Sequence, residues 1–136
     1  MDHALECVAF MLIESDRVLV EKRRLTKSLA PGVIALPGGH VEDGEGLEDA
    51  VRRELSEELD VAPLRLAYVC TLLHRAEEFR RLHYFAVERW EGEIKNREAD
   101  ALLWIPLRDS QSLELDVDRA AVAEYLRVYR PQDGRR

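Results

Sequence analysis

The sequence predicts an α+β fold in which two helices pack on a β-sheet. Apolar runs rich in strand-forming residues recur along the chain, and two segments instead show the helical period. These elements alternate as strands, helix, strands, helix, which is typical of helices packed on a sheet. A chain of 136 residues has the length of one domain. We therefore expect one domain over 1–136, with a flexible tail from about residue 130.

The strands are expected in five apolar runs, at 6–15, 17–23, 64–74, 81–90 and 101–105. The first two are separated by Ser15 and Asp16, a turn-forming pair, and should form a hairpin. The third and fourth should form another. A shorter apolar piece at 33–36 precedes the segment 37–46, whose glycines and acidic residues predict a loop.

Two amphipathic helices are predicted. Over 47–59, apolar residues recur every four positions and form one stripe, and Pro63 follows soon after the predicted end. The second helix spans 116–129. Its predicted inward-facing residues are Ala121, Val122, Tyr125, Leu126 and Tyr129.

The composition disfavours several function classes. The net charge is -7, so nonspecific binding to nucleic acid or to an anionic membrane is disfavoured. The beginning of the sequence has neither a basic segment nor a long apolar run, and we expect a cytoplasmic protein. Cys7 and Cys70 lie within apolar runs and are expected to be free thiols.

The first helix concentrates negative charge on one face. Glu54, Glu57 and Glu58 lie three and four positions apart, and each like-charge pair costs roughly 0.2–0.5 kcal/mol. The C-terminal half of a helix also disfavours anions. One interpretation is a solvated acidic surface. The other is a divalent-cation site, favoured by the preceding loop 37–46, whose backbone N–H groups suit a phosphate.

The segment Gly39–Val61 resembles the Nudix box, the signature of the Nudix hydrolases. It has Gly39, then Glu45, then Arg53 to Leu59 in the sequence RELSEEL. Where the family pattern has glycine, this chain has Asp60. The resemblance implies the Nudix fold, an α/β/α sandwich with a mixed β-sheet. It also implies Mg²⁺ as cofactor, with Mn²⁺ as the alternative.

The resemblance also assigns roles to residues. The predicted metal ligands are Glu54, Glu57, Glu58 and Gly38. Arg53 is expected to pair with Glu45 and hold the loop on the helix. The predicted phosphate or substrate contacts are Arg23, Gly39, His40 and Glu45. The catalytic set is Glu54, Glu57, Arg53 and Glu98, in which the general base is Glu54 or Glu57, with Glu98 as the alternative.

The expected reaction is hydrolysis of a nucleoside triphosphate to a monophosphate and pyrophosphate. The alternatives are another nucleoside diphosphate compound, such as ADP-ribose or a dinucleoside polyphosphate, and a domain that senses a nucleotide without turnover. The expected partner is a small nucleotide, with no nucleic acid and no membrane. A homodimer is compatible with the resemblance.

Asp60 is the departure that needs explaining. Glycine ends helices because it adopts the left-handed conformation without strain. Aspartate visits that conformation at a cost of roughly 1 kcal/mol. We expect a left-handed Asp60 whose charge is screened by Arg52 or Arg53.

Overall fold

The computed structural model describes residues 4–27 and 30–131. Those residues form nine strands and two helices. The strands are β1 (Leu5–Glu14), β2 (Arg17–Lys22), β3 (Ile34–Ala35), β4 (Gly38–His40), β5 (Ala62–Pro63), β6 (Ala67–Arg75), β7 (Phe79–Val87), β8 (Trp90–Glu91) and β9 (Ala101–Pro106). The helices are α1 (Leu47–Leu59) and α2 (Asp116–Tyr129). Most of the predicted tail lies outside the described residues, which end at 131.

The main sheet is mixed. Its central strands β1 and β7 run parallel over eight residue pairs. The remaining pairings of this sheet are antiparallel: β1 with β2 and with β4, β2 with β3 and with β9, and β6 with β7. Both predicted hairpins, β1–β2 and β6–β7, are therefore confirmed.

The two helices cover opposite faces of the sheet. Because side chains alternate along a strand, Val8, Phe10 and Leu12 of β1 pack with the apolar stripe of α1. Cys7, Ala9 and Met11 belong to the core that includes α2. The predicted α/β/α sandwich with a mixed sheet is confirmed.

Two local expectations are wrong. The segment 37–46 is not all loop, because Gly38–His40 pairs with β1 as β4. Two glycines give no alternation pattern from which a strand could be predicted. Tyr129 is 39% exposed rather than buried with Ala121, Val122 and Tyr125, because it lies in the last turn of α2 and stacks on Tyr125.

A buried carboxylate fixes α2 to the rest of the fold. Asp118 is 3% exposed. Its Oδ2 accepts a hydrogen bond from Leu36 N at 3.0 Å, and its Oδ1 accepts one from the Tyr84 hydroxyl at 2.7 Å. Burial raises the pKa of Asp118 to about 6. Both carboxylate oxygens therefore have partners from different elements.

Candidate active site

Arg53 connects the loop before α1 to the helix itself. Its Nε donates to Glu45 Oε2 at 2.8 Å, and its Nη2 donates to Glu45 Oε1 at 3.0 Å and to the His40 carbonyl at 2.9 Å. Glu45 also accepts from Glu42 N at 3.0 Å. The Arg53 guanidinium, and after it the Glu42 amide, lower the pKa of Glu45 to about 2. The pair expected from the sequence is therefore present as a bidentate contact.

The same guanidinium faces two carboxylates of α1. Arg53 Nη1 lies 3.0 Å from Glu54 Oε2 and 3.2 Å from Glu57 Oε1. The Glu54 side chain is 12% exposed and the Glu57 side chain 52%. Arg53 offsets part of the repulsion between these glutamates, and Glu57 has the greater access to solvent.

Glu58 is the buried member of the acidic face. It is 2% exposed, and its Oε1 has no hydrogen-bond partner among the residues described. Burial, the contact with Glu54 and the charge of Glu21 raise the pKa of Glu58 to about 10. A buried carboxyl oxygen without a partner is costly, and such groups often mark the place of a ligand.

These groups meet in a cleft of about 250 Å³. Its lining is Arg23, Lys27, Gly39, His40, Glu54, Glu57, Glu58 and Glu98. The fold thus brings residues from the end of β2, from β4, from α1 and from the loop before β9 to one place. Of the predicted site residues, Arg53, Glu45 and Gly38 are not part of this lining. Arg53 pairs with Glu45 and contacts Glu54 and Glu57, and Gly38 precedes Gly39 in β4.

The glycines of β4 allow close approach of the backbone to its neighbours. A Cβ on Gly39 would lie 2.3 Å from Glu54 Cδ, so the Glu54 carboxylate packs directly against the Gly39 backbone. A Cβ on Gly38 would lie 2.1 Å from the Val8 carbonyl oxygen. Neither position tolerates a side chain without movement of the strand or of Glu54.

Two cations complete the cleft. The Arg23 side chain is 4% exposed, and its Nη1 lies 2.5 Å from Glu21 Oε2. Lys27 Nζ lies 2.9 Å from Glu98 Oε1. Arg23 and Glu98 were expected here, whereas sequence reasoning missed Lys27 and Glu21. Glu21 could have been predicted from the alternation of β2, because it shares with Leu19 the face of the strand that points to α1.

The donors suit a divalent cation. Carboxylate oxygens are the ligands that Mg²⁺ prefers, and Glu58 Oε1 is without a partner in the described structure. In residues 4–27 and 30–131, no three acidic, histidine or cysteine side chains converge closely enough to hold an ion as they stand. Arg53 Nη1 contacts both Glu54 and Glu57.

Comparison with known proteins agrees with this geometry. A family profile described as "NUDIX domain" matches residues 3–126. The chain belongs to the Nudix family. This match covers most of the chain, well beyond the Nudix box, and confirms the assignment made from the motif. The chain is thus a hydrolase of this family.

Named relatives of the chain include two proteins of Escherichia coli (strain K12). An 8-oxo-dGTP diphosphatase is 32% identical over 69% of this chain and 73% of its own length. A CTP pyrophosphohydrolase is 30% identical over 95% of this chain and 98% of its own. Among solved structures, a MutT NUDIX hydrolase from Burkholderia pseudomallei superposes with a TM-score of 0.80 at 26% identity, covering 90% of this chain and 98% of that one.

No helix in the described part of the chain is both long enough and apolar enough to cross a membrane. The expected free thiols are present: Cys7 is buried, and Cys70 is half-buried at the β6–β7 pairing.

Proposed function

We propose that this Nudix hydrolase converts a nucleoside triphosphate to the monophosphate and pyrophosphate with Mg²⁺, or with Mn²⁺ in its place. The observation that carries the proposal is a cleft with four carboxylates and two cations, in which one buried carboxyl oxygen has no partner among the described residues. Such a cleft suits a phosphate chain bound together with a divalent ion. Both E. coli relatives are named for a nucleoside triphosphate.

Glu54, Glu57 and Glu58 would hold the ion, with the Gly38 carbonyl as a further ligand predicted from the sequence. When bound, the ion polarises the phosphate chain and makes water a better nucleophile. Arg53 keeps Glu54 and Glu57 on the cleft side of α1 and ties Glu45 to the same helix. Its role is to position these carboxylates.

Arg23, Lys27 and His40 would contact the phosphates, and the Gly39 backbone would lie beside them. These side chains line the cleft together with the carboxylates. Lys27 Nζ already has an anionic partner in Glu98, which shows that this ammonium group can reach the cleft. Phosphate contacts would neutralise part of the charge that develops on the bridging oxygen as it leaves.

Glu98 is our candidate for the general base. Three of the cleft carboxylates lie on α1 and would be engaged by the ion, whereas Glu98 comes from the loop before β9. Its side chain is 39% exposed, so a water molecule can approach it. Glu98 would take the proton of the attacking water. This choice replaces Glu54 and Glu57, which the sequence had favoured as base.

The first experiment is a substrate panel with product identification. Purified protein with Mg²⁺ should release pyrophosphate and a monophosphate from at least one nucleoside triphosphate, and EDTA should abolish the release. Cleavage only of ADP-ribose or of dinucleoside polyphosphates would move the substrate class to those compounds. Calorimetric binding of a nucleotide without any product would favour a sensing domain.

Two variants distinguish a carboxylate that binds the metal ion from the carboxylate that acts as general base. Glu57→Gln should weaken Mg²⁺ binding measured by calorimetry and lower kcat by about a hundredfold or more. Glu98→Gln should leave Mg²⁺ binding intact and lower kcat by roughly 10²–10⁴-fold. Near-normal turnover of Glu98→Gln would return the role of base to α1. Single-domain organisation, cytoplasmic location and a homodimer stay predictions.

A further inference from the structure

The segment 92–100 passes the C-terminal end of α1 and carries Glu98 into the cleft. Its beginning is fixed by the ribbon of β5 and β8, in which Ala62 pairs with Glu91 and Pro63 with Trp90. Its end is fixed where Asp100 N donates to the Lys22 carbonyl at 2.9 Å. The position of Glu98 depends on what holds the segment between these two points.

The backbone of this segment caps α1. Lys95 N donates to the Leu59 carbonyl at 2.9 Å, and Arg97 N donates to the Glu58 carbonyl at 3.1 Å. The last carbonyls of a helix lack partners within the helix, so these bonds fill vacant acceptors. They also link the backbone of Glu58 to the residue that precedes Glu98.

Asp60 adds side-chain contacts to the same two residues. Its Oδ2 lies 3.2 Å from Arg97 Nη2 and 3.6 Å from Lys95 Nζ. These cations replace Arg52 and Arg53, whose expected screening of Asp60 is wrong. The reason is geometric: Arg53 is engaged by Glu45, and Arg52 lies 3.5 Å from Glu48.

The backbone conformation at Asp60 would favour glycine, so the ion pairs of its side chain account for aspartate at this position. Its φ of 61° and ψ of 36° are left-handed, as the sequence predicted, and glycine would adopt them with less strain. The helix dipole also disfavours an anion here, and the last turn of α1 has no basic residue. Glycine would keep the turn but would lose both ion pairs. The contacts with Lys95 and Arg97 are what aspartate contributes.

We propose that Asp60 is a positioning residue that holds the segment 92–100 against α1 and thereby places Glu98 in the cleft. The proposal rests on the proposed function for the role of Glu98 in turnover. Lys27 Nζ also contacts the Glu98 carboxylate at 2.9 Å. The Nudix box is thus joined to the segment that carries Glu98 by the backbone bonds to Leu59 and Glu58 and by the side chain of Asp60, the position where the box departs from the family pattern.

The test compares Asp60→Asn, Asp60→Gly and the control Glu48→Gln, which removes an exposed ion pair on the same helix. Asparagine and glycine both accept the left-handed conformation, and neither carries the charge. Both Asp60 variants should lower kcat by about twofold to fivefold, the range expected for exposed ion pairs. KM and calorimetric Mg²⁺ affinity should not change, and Glu48→Gln should behave as wild type. Asp60→Gly should also melt at the higher temperature of the two.

Reversing the charge at Asp60 should lower kcat further, and compensating substitutions should restore it. Asp60→Lys should repel Lys95 and Arg97 and lower kcat further than Asp60→Asn does. Adding Lys95→Glu and Arg97→Glu should restore most of the loss. Since both ion pairs are partly exposed, high salt should bring wild type towards Asp60→Asn. A role confined to the helix end would show neither the rescue nor the salt dependence.

Amide hydrogen exchange separates this proposal from the proposed function. The amides of Lys95 and Arg97 should exchange faster in Asp60→Asn than in wild type, whether or not the correct substrate has been found. Unchanged exchange would overturn the proposal. The proposal would also be overturned if Asp60→Asn exchanged faster but kept the kcat of wild type, while Glu98→Gln inactivated the enzyme. If Glu98→Gln is fully active, the assignment of the base fails and the exchange result still decides whether Asp60 holds the segment.

Discussion

Glu58 and Asp118 are both buried carboxyl groups, and they lie on opposite sides of the sheet. Glu58 is 2% exposed and Asp118 3%, and burial raises the pKa of both groups. Their hydrogen bonds differ. Asp118 accepts from Leu36 N and from the Tyr84 hydroxyl, whereas Glu58 has an oxygen with no partner in the described residues.

These hydrogen bonds separate a structural carboxylate from one that is suited to a ligand. Burial alone does not distinguish them, because desolvation penalises the charged form of both. The presence of hydrogen-bond partners does distinguish them. A buried carboxylate whose oxygens all have partners within the protein has a structural role. A group with a vacant acceptor, beside Glu54 and under an open cleft, is suited to a cation from solution.

Glu58→Gln should give the largest effect and tests whether Glu58 serves a bound cation. Glutamine matches the size of the protonated side chain, so the melting temperature without Mg²⁺ should stay close to that of wild type. The increase in melting temperature on adding Mg²⁺ should be largely lost, and kcat should fall by at least about a hundredfold. Differential scanning calorimetry with and without Mg²⁺, together with a turnover assay, measures both effects.

Glu48→Gln is the control for this experiment, since Glu48 lies on α1 and pairs with Arg52, and both side chains are exposed. It should keep both the Mg²⁺-dependent stabilisation and the turnover. If Glu58→Gln kept them as well, Glu58 would be a second structural carboxylate and the contrast with Asp118 would disappear.

Local patterns predicted α1 and α2 to the residue, because an apolar residue every three or four positions determines which helix face is buried. The Arg53–Glu45 contact could be predicted from the motif, since both residues lie within it. Lys27 and Glu98 are 71 residues apart. The family resemblance predicted Glu98 near the site, whereas no pattern in the sequence marks Lys27. Their contact, and the contact of Asp60 with Arg97, depend on how strands from distant segments are ordered in the sheet, which no local period encodes.

Asp118→Ala tests the structural side of the comparison. The substitution leaves Leu36 N and the Tyr84 hydroxyl without their acceptor in a buried place, and each such loss costs about 1–3 kcal/mol. Because two such bonds are lost, we expect the free energy of unfolding, measured with urea at pH 5, to fall by about 2–6 kcal/mol. The control is Asp116→Ala in the same turn, where the side chain is exposed and the expected effect is below about 1 kcal/mol. Equal effects of the two substitutions would show that Asp118 does not fix α2.

Asp118→Asn gives the smallest effect and isolates charge from hydrogen bonding. The amide oxygen still accepts from Leu36 N, and the NH₂ group donates to the Tyr84 oxygen. In wild type, burial raises the pKa of Asp118 from 3.8 to about 6, so the folded protein binds this proton more tightly than the unfolded chain does. The resulting stability is present below pH 4 and is lost as the pH rises through 6, by up to about 3 kcal/mol. The asparagine variant should therefore gain stability relative to wild type between pH 4 and pH 7 in urea titrations. A constant difference across this range would mean that Asp118 ionises in the folded protein as easily as in the unfolded chain, and that its two hydrogen bonds offset the effect of burial on its pKa.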